Sequence, residues 1–181
     1  MISVATQTLA DFITSGIPLI NKEQIFFDHP RVAQVNKPAL NLYCYRVQVS
    51  DWNQTLPTTP SVPSRDNPLS PTLGVRKSVN VAGVSQWFDL TFLVSVTDHT
   101  ALSEQHLLSE LLAMLSSYQF LPDEFLTPLL QGQGVLPITV STEGVIDTAL
   151  LWQVLRMPLR LALHVTLTVP FYHHLGFHQT G

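Results

Sequence analysis

Two stretches in which every second residue is apolar constrain the fold of this chain more than any other feature. Every second residue from Phe88 to Val96 is apolar, and every second residue from Leu159 to Val169 is leucine or valine. A period of two places successive side chains on opposite faces of a β-strand. The pattern therefore predicts two long strands that each bury one face, with His164 on the polar face of the second strand.

Three further runs predict the rest of a sheet. Leu40–Val49 is rich in aromatic and β-branched residues and has apolar residues on both faces, which is typical of a central strand. One face is expected to carry Leu40, Leu42 and Cys44, and the other Tyr43, Tyr45, Val47 and Val49. Gln24–Asp28 predicts a short strand. Leu136–Val140 predicts a strand in which Pro137 indicates an edge position or a bulge.

Apolar residues at helical spacing predict the helices. The first runs from Ile2 to Ile13, with Ser3 as its cap and Gly16 as its stop. The second begins near Ser103, which can cap it, and its apolar stripe consists of Leu107, Leu108, Leu111, Leu112, Leu115 and Tyr118. A short helix follows Pro122, and another is capped by Asp147, ends before Pro158 and carries Leu150, Leu151, Val154 and Leu155. We predict an α+β fold, a mixed and largely antiparallel sheet with helices packed on one face.

The composition changes abruptly in residues 50–74, where five prolines are interleaved with serine, threonine and asparagine. Proline neither donates to a sheet nor continues a helix, so we expect a loop or an extended arm here. Two alternatives stay open for it, a mobile linker and a partner-binding arm. Because the length favours one domain, we expect residues 1–170 to form a single α/β domain and residues 171–181 a flexible tail.

Charged residues make up only 12% of the 181 residues, against about 25% in a typical soluble domain. So few charges favour assembly with a partner that covers apolar surface. The net charge of −4 offers no basic stripe for a phosphate backbone, so nucleic acid is not expected as a partner. The N-terminus lacks a signal-peptide pattern, and no apolar run approaches the roughly 20 residues that span a bilayer. We expect the chain to be cytoplasmic when made, without direct membrane insertion.

No residue set for catalysis, a metal or a cofactor stands out. Glycine motifs that bind phosphate are absent, and Gln131–Gly134 precedes a strand, which predicts a turn. No Gly-x-Ser-x-Gly motif occurs, although a catalytic triad would be spatial and the sequence alone leaves it open. The acidic residues form no obvious acid–base pair; they are Asp89, Asp98, Asp123 and Glu124. We therefore predict no enzyme, with no catalytic, cofactor-binding or metal-binding residues.

The histidines and the single cysteine receive structural interpretations. His29, His99, His106 and His164 are scattered, and His106 is expected on a helix face. His173, His174 and His178 cluster in the tail and could bind a metal adventitiously, but a zinc site needs three or four rigidly held ligands. Cys44 lies in an apolar run and is interpreted as a small core residue.

Several short runs, taken in order, resemble a known protein family. The runs are Ile2–Leu9, Ile25–Pro30, Pro38–Tyr43, Asp89–Val94, Glu104–Leu108, Leu121–Pro122, Leu151–Trp152, and Pro158 leading into Val169–Pro170. In this order and spacing they resemble the tail-terminator, or cap, proteins of extracellular contractile injection systems of the antifeeding-prophage type. The resemblance spans nearly the whole chain, and the serial order of the runs carries it.

The resemblance implies a structural role in a phage-tail-like particle. It implies a ring of six copies that ends polymerisation of the inner tube and anchors the contractile sheath, so the implied partners are further copies of the chain, the inner tube protein and the sheath protein. Whether a second cap paralogue stacks on the ring stays open. The Pro-rich arm and the tail are candidate segments for reaching these partners. The alternative functions are a baseplate or adaptor component of the same kind of particle and, from a different class, a small hydrolase.

Overall fold

The computed structural model describes residues 1–30, 37–52, 86–132 and 134–171. The α-helices are α1 (Ile2–Gly16), α2 (Ala101–Ser116) and α3 (Thr148–Val154), and the strands are β1 (Ile25–Phe26), β2 (Ala39–Val49), β3 (Gln86–Thr97), β4 (Ile138–Ser141) and β5 (Ala162–Phe171). Short 3-10 helices span Lys22–Gln24 and, after Pro122 as predicted, Asp123–Phe125. The strands form one sheet in the order β1-β2-β3-β5-β4. Among the strand pairs of the described residues, only β1–β2 is parallel. The predicted α+β fold with a mixed, largely antiparallel sheet is confirmed.

Strand β3 forms the centre of the sheet. It pairs with β2 from Phe88 to Thr97 and with β5 from Gln86 to Ser95. The predicted apolar face is buried, but the opposite face is covered as well, because Thr91 and Leu93 are only 2% and 0% exposed. The prediction of a single buried face was therefore wrong for β3.

Helices α1 and α2 cover one face of the sheet and enclose the main core. The helical residues of this core include Leu9, Phe12, Ile13, Leu107, Leu111 and Leu115, and the strand residues include Leu42, Leu90, Phe92, Val94, Val165 and Leu167. The Phe12 ring also packs edge-on against Tyr118 and Phe125, with centroid distances of 5.0 and 5.3 Å. The amphipathic spacing seen in the sequence thus corresponds to the buried faces of the two long helices.

Helix α3 packs against the opposite face, so the expectation that the helices share one face holds for α1 and α2 only. Leu151, Trp152 and Leu155 form a second, smaller core with Leu93 of β3. The other two residues of the predicted stripe point away from the protein, since Leu150 and Val154 are 51% and 71% exposed. Sequence periodicity shows that a helix has an apolar side, but not which side of the sheet it covers.

A bulge in β2 corrects the predicted faces of that strand. The register with β3 shifts between Cys44 and Arg46, where β2 carries one residue more than its partner. Beyond the bulge, Val47 lies opposite Leu90 and Val49 opposite Phe88. These two valines therefore share the face of Leu42 rather than that of Tyr43, because an extra residue reverses the alternation.

The ends of the helices and the position of β4 agree in part with the sequence signals. Asp147 caps α3 through a 2.8 Å bond from the Leu150 N–H to its carboxylate, as predicted. Helix α2 is capped by Thr100, whose hydroxyl accepts from the Ser103 N–H at 3.1 Å, so the choice of Ser103 was wrong. Helix α1 begins after Met1 and has no side-chain cap, so the prediction of Ser3 as its cap was wrong. β4 lies at a sheet edge, as Pro137 indicated.

The predicted Pro-rich arm lies almost entirely outside the described residues, as does the tail beyond Phe171. Within the described ranges, no helix is both long enough and apolar enough to cross a membrane.

Candidate assembly surface

Exposed apolar side chains gather in the segment that carries α3 and leads into β5. Six of them are between 37% and 71% exposed, namely Val145, Ile146, Leu150, Val154, Leu159 and Leu161. Leu159 and Leu161 were predicted to lie in the buried face of the last strand, but β5 begins only at Ala162. Monomeric proteins rarely expose large contiguous apolar patches, so this segment is a candidate contact surface.

A groove of about 720 Å³ lies between α2 and the start of β5. Leu108 and Leu112 line it from the helix, and Leu159 and Leu161 line it from the extended segment. We call this the β5 groove. Its walls are mainly apolar, so burial of apolar side chains from a partner in this groove would be favourable.

An ion pair fixes the segment that forms one wall of the β5 groove. The guanidinium of Arg160 donates to the Glu104 carboxylate and, at 3.1 Å, to the Thr97 hydroxyl. The Arg160 and Glu104 side chains are only 20% and 22% exposed. The pair therefore joins the start of β5 to the start of α2 and neutralises the charge of Arg160 beside the leucines.

A second groove, of about 340 Å³, lies at the other edge of the sheet, between α1 and β2. Ser3, Thr6 and Gln7 line it from the helix, and Phe27 and residues 42–44 line it from the sheet. We call this the β2 groove. Strand β1 pairs with Leu40 and Asn41 of β2, and no strand among the described residues pairs with the groove residues 42–44. Such an edge is a template for pairing with another chain.

Beneath α3, His164 joins three parts of the chain. Its Nδ1 atom lies 3.0 Å from the Tyr45 hydroxyl, and its Nε2 atom lies 3.3 Å from the Thr148 hydroxyl. The ring packs so closely on Gly144 that a Cβ there would lie 2.5 Å from Cε1. His164 is 3% exposed, and burial lowers its pKa below the ordinary value. His164, which was predicted on the polar face of β5, is thus buried and contacts the loop before α3.

We expect the free energy of unfolding to decrease as the pH falls from 7 to 5. Since the folded pKa of His164 is depressed, the unfolded state binds the proton more strongly. The stability due to neutral His164 is complete above a pH of about 6.5 and is lost below it, by at most about 1.4 kcal/mol per pH unit. Urea unfolding at several pH values would measure the slope.

Two variants isolate the contribution of His164. His164→Gln should flatten the slope between pH 7 and 5. His106→Gln is the control, a substitution of the same kind at an exposed position on the surface of α2. Equal slopes for the wild-type chain and His164→Gln would contradict the assignment.

The remaining residues singled out in the sequence have structural contacts. His29 contacts the Pro30 carbonyl, and His106 lies on a helix face as predicted. Cys44 is half-buried against the core, and burial raises the pKa of its thiol, in agreement with a small core residue. Asp89 accepts from the Thr168 hydroxyl at 2.7 Å, and Asp98 accepts from the His99 N–H at 2.7 Å.

The described ranges contain no group of three or more His, Cys, Asp or Glu side chains placed to hold a metal ion. His173, His174 and His178 lie outside those ranges. Gly132 and Gly134 have positive φ angles of 74° and 92°, which agrees with the predicted turn. The arrangement offers apolar grooves and open sheet edges, which suit the binding of protein surfaces.

Comparison with known proteins assigns the chain to a family. A family model described as the Pvc16 N-terminal domain matches residues 5–175. A solved structure of the PVC sheath/tube terminator of an extracellular contractile injection system, in its extended state, matches with a TM-score of 0.51 and 16% identity. The match covers 92% of this chain and 56% of that one, so the chain spans little more than half of the solved terminator's length. No curated protein matched significantly.

These matches confirm the resemblance to tail terminators that the serial motifs indicated. The likeness to the solved terminator shows a common fold, and the family model covers 171 residues, nearly the whole sequence. The chain belongs to the Pvc16 N-terminal domain family.

Proposed function

We propose that this chain is the tail terminator of a contractile injection particle, a ring of six copies that ends inner-tube polymerisation and anchors the sheath. The observation that carries the proposal is the family match across residues 5–175. It is supported by the fold that the chain has in common with a PVC sheath/tube terminator. Its partners are further copies of itself, the inner tube protein and the sheath protein.

The mechanism is recognition without catalysis. A closed ring matches the symmetry of a tube, and a surface unlike that of a tube subunit offers no template for a further layer. Residues 1–170 form the cap domain of this proposal. The apolar segment 145–161 and the β5 groove are the candidate contact surfaces, because burial of their exposed leucines and valines by a partner is favourable.

Particles assembled without this chain are the direct test. We expect electron micrographs to show inner tubes of uncontrolled length, or no complete tails, while baseplates remain. Re-expression of the chain should restore a single tail length. Particles that lack baseplates but keep tails of normal length would contradict the proposal and favour a baseplate component.

A further inference from the structure

Helix α3 depends on tertiary contacts, because it is too short to be stable alone. It has seven residues, of which only Leu151 and Trp152 are buried. An isolated helix needs about 12–15 residues to be even marginally stable in water. Within the described ranges, α3 is attached to the sheet by the small core around Leu93 and by the bond between its first residue and His164. The helix therefore stays in place only while these contacts hold.

The His164 imidazole holds the loop before α3 as well as the helix. Its Nδ1 atom contacts the Tyr45 hydroxyl, and the same hydroxyl hydrogen-bonds the backbone of Val145. Its Nε2 atom contacts the Thr148 hydroxyl, and the ring fills the space where a side chain at Gly144 would lie. The loop and the start of α3 thus rest on one buried ring.

The surroundings of this ring favour its neutral form. A neutral imidazole has one donor and one acceptor nitrogen, whereas both nitrogens donate in the cation. Burial penalises the cation, and this is the physical cause that lowers the pKa of His164. No ion pair joins His164 to any charged side chain among the described residues. The ionisable side chains on the elements packed around it, of which β4 and α3 have none, are Tyr43, Tyr45 and Arg46 on β2, Asp89 on β3, and Glu143 and Asp147 in the loop.

We infer that His164, the loop before α3 and α3 itself form a pH-sensitive latch, in which protonation of the ring releases residues 142–155 from the sheet while the main core stays folded. Strand β5 is retained, because it pairs with β3 on one side and with β4 on the other. The inference does not depend on the proposed function. The released segment carries four exposed apolar side chains of the candidate contact surface, namely Val145, Ile146, Leu150 and Val154.

The latch is expected to open more often as the pH falls below about 6.5. In the opened state the ring is hydrated and binds a proton with the ordinary histidine pKa of about 6.5, whereas burial lowers this pKa in the closed state. The opened state therefore binds the proton more tightly. Each pH unit below 6.5 raises the equilibrium constant for opening by up to about tenfold, until the closed state binds the proton too.

Hydrogen exchange of the full chain at pH 7, 6 and 5 measures this opening. The reporters are the amides of Leu155 and Met157, which donate at 3.0 Å to the carbonyls of Leu151 and Trp152. Their protection factors, corrected for the intrinsic effect of pH on exchange, should fall by up to about tenfold per pH unit. Low urea concentrations should leave these values unchanged, because the opening exposes little surface, whereas β3 amides should lose protection with urea.

Three variants separate the titration of the ring from a loosened helix. His164→Gln should abolish the decline between pH 7 and 5, because the amide does not titrate. Thr148→Val removes the hydroxyl bonded to Nε2 but keeps the ring, so protection should fall about two- to tenfold at pH 7 and still decline toward pH 5. His106→Gln is the control, a substitution of the same kind on α2, which packs on the opposite face of the sheet; it should keep the decline.

A decline in His164→Gln equal to that of the wild type would overturn the latch, as would α3 protection that does not change with pH in the wild type. Flat profiles in both His164→Gln and Thr148→Val would assign the effect to loosening of the helix, and the latch would again be wrong. Urea sensitivity of the α3 amides as steep as that of β3 would show that α3 opens only with the whole fold.

Discussion

Replacing Phe92 with alanine is expected to lower the free energy of unfolding by about 3–5 kcal/mol. Phe92 is fully buried in the central strand, between its cross-strand neighbours Cys44 and Val165. The substitution removes the ring from the main core and leaves a cavity, since strands on both sides and helices above limit collapse around it. Urea unfolding with an unchanged m-value would measure the loss.

Phe26→Ala is the matched control for this core substitution. Phe26 also lies in a strand, but it is 47% exposed at the sheet edge. Its loss should cost less than about 1 kcal/mol. Similar losses for Phe26→Ala and Phe92→Ala would contradict the position of the core.

Trp152→Ala should lower the free energy of unfolding nearly as much as Phe92→Ala, but it acts on a different part of the fold. Trp152 is 1% exposed and is the largest side chain of the small core that holds α3 against the sheet. Truncation of a buried tryptophan costs about 3–5 kcal/mol. Because the small core is separate from the main one, we expect α3 to detach locally before the sheet unfolds.

Hydrogen exchange distinguishes local from global opening. The amides of α3 should lose protection in Trp152→Ala, while those of β3 keep most of theirs. Val154→Ala, at a residue of the same helix that is 71% exposed, should leave both unchanged. Uniform loss of protection across the sheet would show instead that the two cores unfold as one unit.

The sequence predicted those features that depend on local periodicity. The alternation around Phe92 and Val165 located the two long strands, and the spacing of Leu107, Leu111 and Leu115 located the buried stripe of α2. The Asp147 cap and the edge strand with Pro137 also follow from the chemistry of single residues. Each of these signals lies within a few residues of the structure that it predicts.

Features that depend on distant parts of the chain escaped prediction. The bulge after Cys44 is defined by the register with β3, so the alternation in β2 alone placed Val47 and Val49 on the wrong face. The sequence placed His164 on a polar face of β5. It did not show on which face of the sheet α3, which covers this residue, would pack. Leu159 and Leu161 continue the alternation of β5, yet no strand or helix among the described residues buries them.

The proposal of a tail terminator is tested most directly by the length of inner tubes in particles that lack this chain and in the same background after re-expression. The account predicts a broad range of lengths, or no complete tails, without the chain and a single length once it is restored. Tails of one normal length in its absence would contradict the account.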